Sequence, residues 1–266
     1  MGVVNITPDS FSDGGRHFAP DAAVAQGLKL LADGADILDL GAESTAPGSR
    51  PIMPEEEQAR LLPVVLALAA KGRLSIDTYR ASTAARCLAL GARIVNDVSA
   101  LRADPDMARV VAEHRAVLVM MHAKDGPLPH ATDAPRHYRD VVAEIGDFLE
   151  TRVEVAMKAG IPPERLALDP GWGRFISLEP DHSFELLRRF EELVERLEPI
   201  PLVVGTSRKG FLGVPMVRRD AVSQLTAVAA AAKGAAIIRT HDAAMARDFL
   251  DTWRRMGQPM RGRKAP

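Results

Sequence analysis

The amino-acid sequence predicts an α/β chain folded as one closed (β/α)8 barrel, and three observations carry that reading. Eight short apolar runs alternate strictly with eight longer segments whose apolar residues recur at three- and four-residue spacing. Strict alternation calls for a parallel sheet with helical crossovers. Eight such units within 266 residues match a closed barrel better than an open doubly wound sheet. GAD, GAR and GAA stand at the entry to the second, fourth and eighth runs, as short helix-to-strand turns require.

GVVNI (2–6) is the first strand; it reaches Asn5 and passes into the polar, Gly-rich TPDSFSDGG. AAVAQGLKLLADGA follows with one apolar helical face and a closing Gly. DILDL (36–40) is the second strand and EEEQARLLPVVLALAAKG the second helix, its acidic start complementing the helix dipole. RLSID (73–77) and RIVND (93–97) flank ASTAARCLALGA, and ADPDMARVVAEHR leads to AVLVMM (116–121). YRDVVAEIGDFLETRVEVAMKAG precedes RLALD (165–169), and SFELLRRFEELVERL precedes PLVVG (201–205). AVSQLTAVAAAAKG, AAIIR (235–239) and AAMARDFLDTWRRM complete the pattern. The barrel is expected over 1–257, with 258–266 a flexible basic tail.

A net charge of −1 supports neither nucleic acid nor an anionic membrane as a partner. No apolar run reaches the roughly 18–20 residues that cross a bilayer. No basic-then-apolar leader stands at the start, so a cytoplasmic location is expected. The single cysteine, Cys87, excludes an internal disulfide and lies in a helical stretch as a small buried hydrophobe.

The barrel reading allows a test, because barrel active sites gather at the C-terminal strand ends. Those ends carry Asn5, GAEST, Asp77, Asn96-Asp97, His122, Asp169, GTSRKGFLG and Arg239-Thr240-His241-Asp242. One or two polar ends would be turn chemistry. Eight on one rim would leave many desolvated polar groups unless a ligand binds there. Asp77, Asn96 and Asp169, with Lys209 as a long donor, suit the donor edge of a flat nitrogen-rich heterocycle. Asn5, Arg239 and His241 suit an anion or a metal–anion pair. No HExxH, CxxC, GxGxxG or Walker loop occurs.

VVNITPDSFSDGG, LGAESTAPGSRP, SIDTY, NDVSA, VMMH, LDPGWG, GTSRKGFLG and IIRTHD together resemble the dihydropteroate synthases, in the same order and over nearly the whole chain. That resemblance implies a (β/α)8 barrel that joins p-aminobenzoate to a pterin carrying a methylene diphosphate, releasing pyrophosphate. It implies a pterin subsite of Asp77, Asn96, Met121, Asp169, Gly205 and Lys209, with Asp77, Asp169 and Lys209 catalytic. It further implies that Asn5, Arg239 and His241 bind the diphosphate, that Mg2+ sits at Asn5, and that the enzyme is a homodimer packed through outer helices. Asp9 and Asp13 lie on a loop able to close over the diphosphate. Relatives carry a short segment ahead of the first strand; with little ahead of it here, a more open barrel floor is expected.

Two motifs depart from the family pattern. ESTRPG reads ESTAPG, replacing an arginine by Ala46, with Arg50 four residues on. After Asp169 the chain reads DPGWGRFISLEPDHSF, so Arg174 stands where an aromatic flanks the p-aminobenzoate subsite and Phe175 follows it. Thr45, Arg174, Phe175 and Ser207 are the expected lining of that subsite, and Ser183 replaces an Asn after His182. This segment and MHAKDG are similar to the mobile sulfonamide-resistant synthases, which implies reduced sulfonamide sensitivity. Alternatives are a catalytically weak pterin-binding paralogue, favoured by Ala46 and Arg174, and a pterin-dependent methyltransferase, which would not need the SRK and RTHD motifs. Glu43 is read as a structural acceptor, and His17, His114, His130 and His137 as surface or loop residues.

Overall fold

The computed structural model describes residues 1–7, 20–44, 51–124, 126 and 136–261. Asp9, Asp13, His17, Thr45, Ala46, Arg50 and His130 lie outside the described residues. Strands β1 (Gly2–Asn5), β2 (Ile37–Gly41), β3 (Arg73–Asp77), β4 (Ile94–Asp97), β5 (Val117–Met121), β6 (Leu166–Asp169), β7 (Val203–Val204) and β8 (Ile237–Ile238) run in parallel. The first six pair in sequence order and β7 pairs with β8. Single parallel bridges, Leu168 to Leu202 and Gly2 to Thr240, join the two sheets on either side and complete the expected ring. β7 and β8 are shorter than their apolar runs; Pro201 has no N–H to donate, so its carbonyl alone meets Leu168 N at 2.9 Å.

Nine α-helices occur among the described residues: α1 (Pro20–Ala32), α2 (Pro54–Leu68), α3 (Ala81–Ala89), α4 (Met107–Glu113), α5 (Val141–Lys158), α6 (Pro180–Arg188), α7 (Phe190–Leu197), α8 (Met216–Ala232) and α9 (Ala243–Arg255). Asp140 and Asp242 cap α5 and α9 by accepting first-turn N–H groups at 2.9–3.0 Å. The single helix expected over 183–197 is two. The chain leaves helical geometry at Arg189, whose guanidinium is drawn to Asp140 of the α5 cap at 3.0 and 3.1 Å. Breaking there also seats Phe190 flat against Trp172, with ring centroids 6.1 Å apart.

Alternation along each strand sorts side chains between two cores. Outward residues such as Leu38, Leu40, Leu74, Ile76, Leu118 and Met120 pack under the helices, fully buried. Each stabilises the fold by about 1.5–3 kcal/mol relative to exposure. Inward, Ile94, Val119, Ala167 and Val203 fill the barrel with Ile37, Val117 and Ile237. Above that plug the inward positions turn polar. Cys87 is buried in the outer core as expected, and no described helix is long and apolar enough to cross a membrane.

Candidate active site

Two polar groups occupy the rim, and they divide its residues differently from the sequence reading. In the first, Arg239 donates from Nε to Asp39 at 2.6 Å and from Nη2 to Asp77 at 2.8 Å. Asn96 donates to the same Asp39 oxygen at 3.0 Å. Asp169, at the end of β6, holds Gly171 N–H on one oxygen at 2.8 Å, while its other oxygen faces Gly205. Arg239 was expected with the anion group; bifurcated pairing with two carboxylates instead places it among Asp77 and Asn96.

The second group gathers Asn5, Ser207 and His241. Ser207 Oγ lies 2.9 Å from His241 Nδ1 and accepts from the His241 backbone N–H at 3.2 Å. Asn5 is exposed, its amide nitrogen 3.5 Å from His241 Nε2. Ser207, expected beside Arg174 and Phe175, thus sits in the Asn5–His241 group, because the turn after β7 brings its hydroxyl onto the strand-8 end.

An apolar shelf overhangs the first group. Met121 packs with Tyr79 and Val98, and Phe175 and Ala103 lie against them. The Lys209 ammonium stands 4.6 Å from the Phe175 ring centre. Phe175 and half-buried Arg174 lie on a 3-10 turn, Gly173–Phe175, whose first N–H is held by Ser183 Oγ at 3.0 Å. Trp172, sandwiched between Phe190 and Phe211, anchors this turn from below.

Desolvation sets the charges. Burial pushes Asp77 up to about 7, against the pull of Arg239 and with the push of Asp39. Burial pushes Asp169 up to about 6, opposed by the Gly171 N–H, Lys209 and Arg239. Lys209 is lowered to about 8 by burial and by Arg239, while Asp169 and Asp77 hold it up. His241 falls to about 3 through burial and the Arg239, Arg208 and Lys209 charges, so its ring is neutral. Opposed shifts gathered on one rim make it the candidate site.

Two acids carry roles that strand-end reading missed. Asp39, fully buried, lies within the apolar run DILDL; an acid at an inward position of a barrel strand was the available signal. Glu57 was read as part of the acidic helix start that complements the dipole, and it is buried. It accepts from Thr78 and Thr83 at 2.7 Å and pairs with Arg80 at 3.1 Å, because its turn of α2 faces α3. Glu43 accepts from Ile52 N, Tyr79 Oη and Arg80 and so ties down residues on both sides of 45–50, a structural role as expected.

Residues 1–241 match the family of pterin binding enzymes. The chain is 43% identical over 261 residues to the dihydropteroate synthase of Mycobacterium leprae, covering 94% of this chain and 90% of that protein. It is 41% identical over 257 residues to the type-2 dihydropteroate synthase of Escherichia coli, with 94% and 93% covered. Among solved structures, the Xanthomonas albilineans dihydropteroate synthase with 4-aminobenzoic acid superposes with a TM-score of 0.87 at 40% identity, covering 100% of this chain and 93% of that one.

Proposed function

The chain belongs to the pterin binding enzyme family, and from that premise we propose that it is a dihydropteroate synthase of folate biosynthesis, joining 6-hydroxymethyl-7,8-dihydropterin diphosphate to p-aminobenzoate. The carrying observation is the pairing of an acceptor-lined pocket, Asp77, Asn96 and Asp169 under the Met121–Phe175 shelf, with the separate Asn5–Ser207–His241 group. The first fits the N–H edge and flat faces of a pterin, with Gly205 leaving room beside Asp169 and Lys209 reaching in. The second offers the Ser207 hydroxyl, the His241 ring and the Asn5 amide to diphosphate oxygens. Arg174 and Phe175, on the turn after β6, border the p-aminobenzoate subsite.

In the reaction the methylene carbon–oxygen bond breaks, pyrophosphate departs, and the amine nitrogen forms the new carbon–nitrogen bond and loses a proton. Asp169 stabilises positive charge developing on the pterin, and Asp77 and Lys209 hold the ring in line for the amine. The exposed amide oxygen of Asn5 suits Mg2+, which takes few protein ligands beside phosphate oxygens and water. Held by Asn5, Mg2+ would supply positive charge to the diphosphate oxygens. The catalytic barrel spans 1–257, and the enzyme works in the cytoplasm as a homodimer. Because Arg174 takes the place of a flanking aromatic, sulfonamides compete poorly with p-aminobenzoate.

Pyrophosphate release from pterin diphosphate, p-aminobenzoate and Mg2+ tests the reading. Release that depends on p-aminobenzoate is expected, with sulfamethoxazole inhibiting more weakly than it inhibits a sensitive synthase run alongside. Intact pterin binding without release would favour the weak paralogue, and equal inhibition would remove the sulfonamide claim.

A further inference from the structure

We propose that Asp39 is a positioning residue of the pterin pocket: from one layer below the rim, its carboxylate turns the Asn96 amide oxygen toward the ligand and seats Arg239 against Asp77. This rests on the pterin reading of the pocket. On β2, Asp39 points inward two residues before Gly41, whose register partner is Asp77. It is 0% exposed, and one oxygen receives both Asn96 Nδ2 at 3.0 Å and Arg239 Nε at 2.6 Å.

The direction of the amide follows from chemistry. A carboxylate facing a guanidinium offers only acceptors, so Asn96 must turn its NH2 group down to it. The amide oxygen then points the other way and joins Asp77 and Asp169, making the polar side of the pocket acceptor-rich. A ring edge that donates is favoured and one that accepts is refused. Were residue 39 able to donate, Asn96 could turn over and this selection would weaken.

The second Asp39 oxygen is buried with no hydrogen-bond partner among the described residues. Its ladder neighbours on β1 and β3, Val3 and Ser75, carry no charge. The charges that face the pocket are Asp77 on β3, Asp169 on β6, Lys209 after β7 and Arg239 after β8, with Glu57 of α2 acting on Asp77 from behind and the buried Met1 ammonium, lowered to about 6, interacting with Asp39. A buried orphan oxygen is costly in a purely structural role, but it leaves Asp39 opposing the ionisation of Asp77 and Asp169, as their raised values record.

Asp39→Asn keeps the shape, removes the charge and can donate or accept. Calorimetry with 6-hydroxymethylpterin is expected to show wild-type binding and about tenfold weaker binding by the variant. KM for p-aminobenzoate is expected to hold, while the acid limb of kcat/KM moves to lower pH; a merely structural residue would move neither the limb nor the pterin term alone. Affinity within about twofold of wild type with an unmoved limb would overturn the proposal. If the variant fails to fold, exchange of the Asn96 side-chain amide protons in the wild type decides: protection supports it and solvent-rate exchange overturns it. A wild type that binds no pterin would instead defeat the pterin reading itself.

Discussion

Asp169 is 7% exposed at the end of β6, and burial pushes its carboxyl up to about 6. Its ionisation costs the folded state something the unfolded chain does not pay. With a folded value of about 6 above the ordinary 3.8 of an aspartate, the native protein binds more protons between those limits, so this contribution to stability falls as pH rises through that window. Above pH 6 the loss is complete, on the order of 3 kcal/mol. Asp169→Asn cannot ionise yet keeps an oxygen for the Gly171 N–H. Denaturant unfolding is therefore expected to show the variant gaining on wild type from pH 4 to 6 and holding that gain above, while turnover drops sharply. A pH-independent difference would remove the buried charge from the account. In the wild type, kcat/KM is expected to rise between pH about 6 and 7, as Asp169 and Asp77 ionise, and to fall near 8 as Lys209 loses its proton.

At the scale of elements, the turn after β6 shows how tightly the strand ends are built. Gly171 has φ +74°, and a Cβ there would meet the His122 carbonyl oxygen at 2.3 Å, the same residue whose N–H binds the Asp169 carbonyl at 2.8 Å. Gly160 also has positive φ, +88°, but nothing lies near its missing side chain. Gly160→Ala is expected to cost about 1 kcal/mol from backbone strain alone. Gly171→Ala must also push β5 from β6, at about 3 kcal/mol, and loses pterin affinity. Equal unfolding midpoints for the two variants would contradict the close approach. The alternation of strands and helices was legible because period 2 and period 3.6 are local. The break at Arg189 was not, since SFELLRRFEELVERL keeps helical spacing across it and only the distant Asp140 and Trp172 select the bend. Asp77, Asn96 and Asp169 were legible as strand ends that converge. Asp39 was hidden inside DILDL, and the company Arg239 and Ser207 keep depends on side-chain reach across the ring, which no spacing records.

At the scale of the whole molecule, the outer face of α8 carries an apolar ridge that the barrel does not use. On α8, Val217, Ala221 and Leu225 recur every four residues along the exposed side; Val217 is 90% exposed and Leu225 58%. Met216 adjoins them at the start of the helix, and Met256 is exposed just past α9, the helix packed beside α8. Four-residue spacing lines these side chains along one ridge, which a second copy can meet with its own. The net charge of −1 opposes such self-association little. The opposite, buried side of α8 presents Ser223 and Thr226 to Thr206, next to the residues that lead to Ser207 and Lys209, so a dimer through this helix would stiffen the anion side of the rim. Sedimentation equilibrium is expected to show a dimer for the wild type and a monomer for Leu225→Glu, which buries a charge in the proposed interface. Pterin binding by the monomer is expected to persist, because Asp77, Asn96 and Asp169 all lie on strands remote from the ridge. A monomeric wild type, or a Leu225→Glu protein that stays dimeric, would remove α8 as the contact.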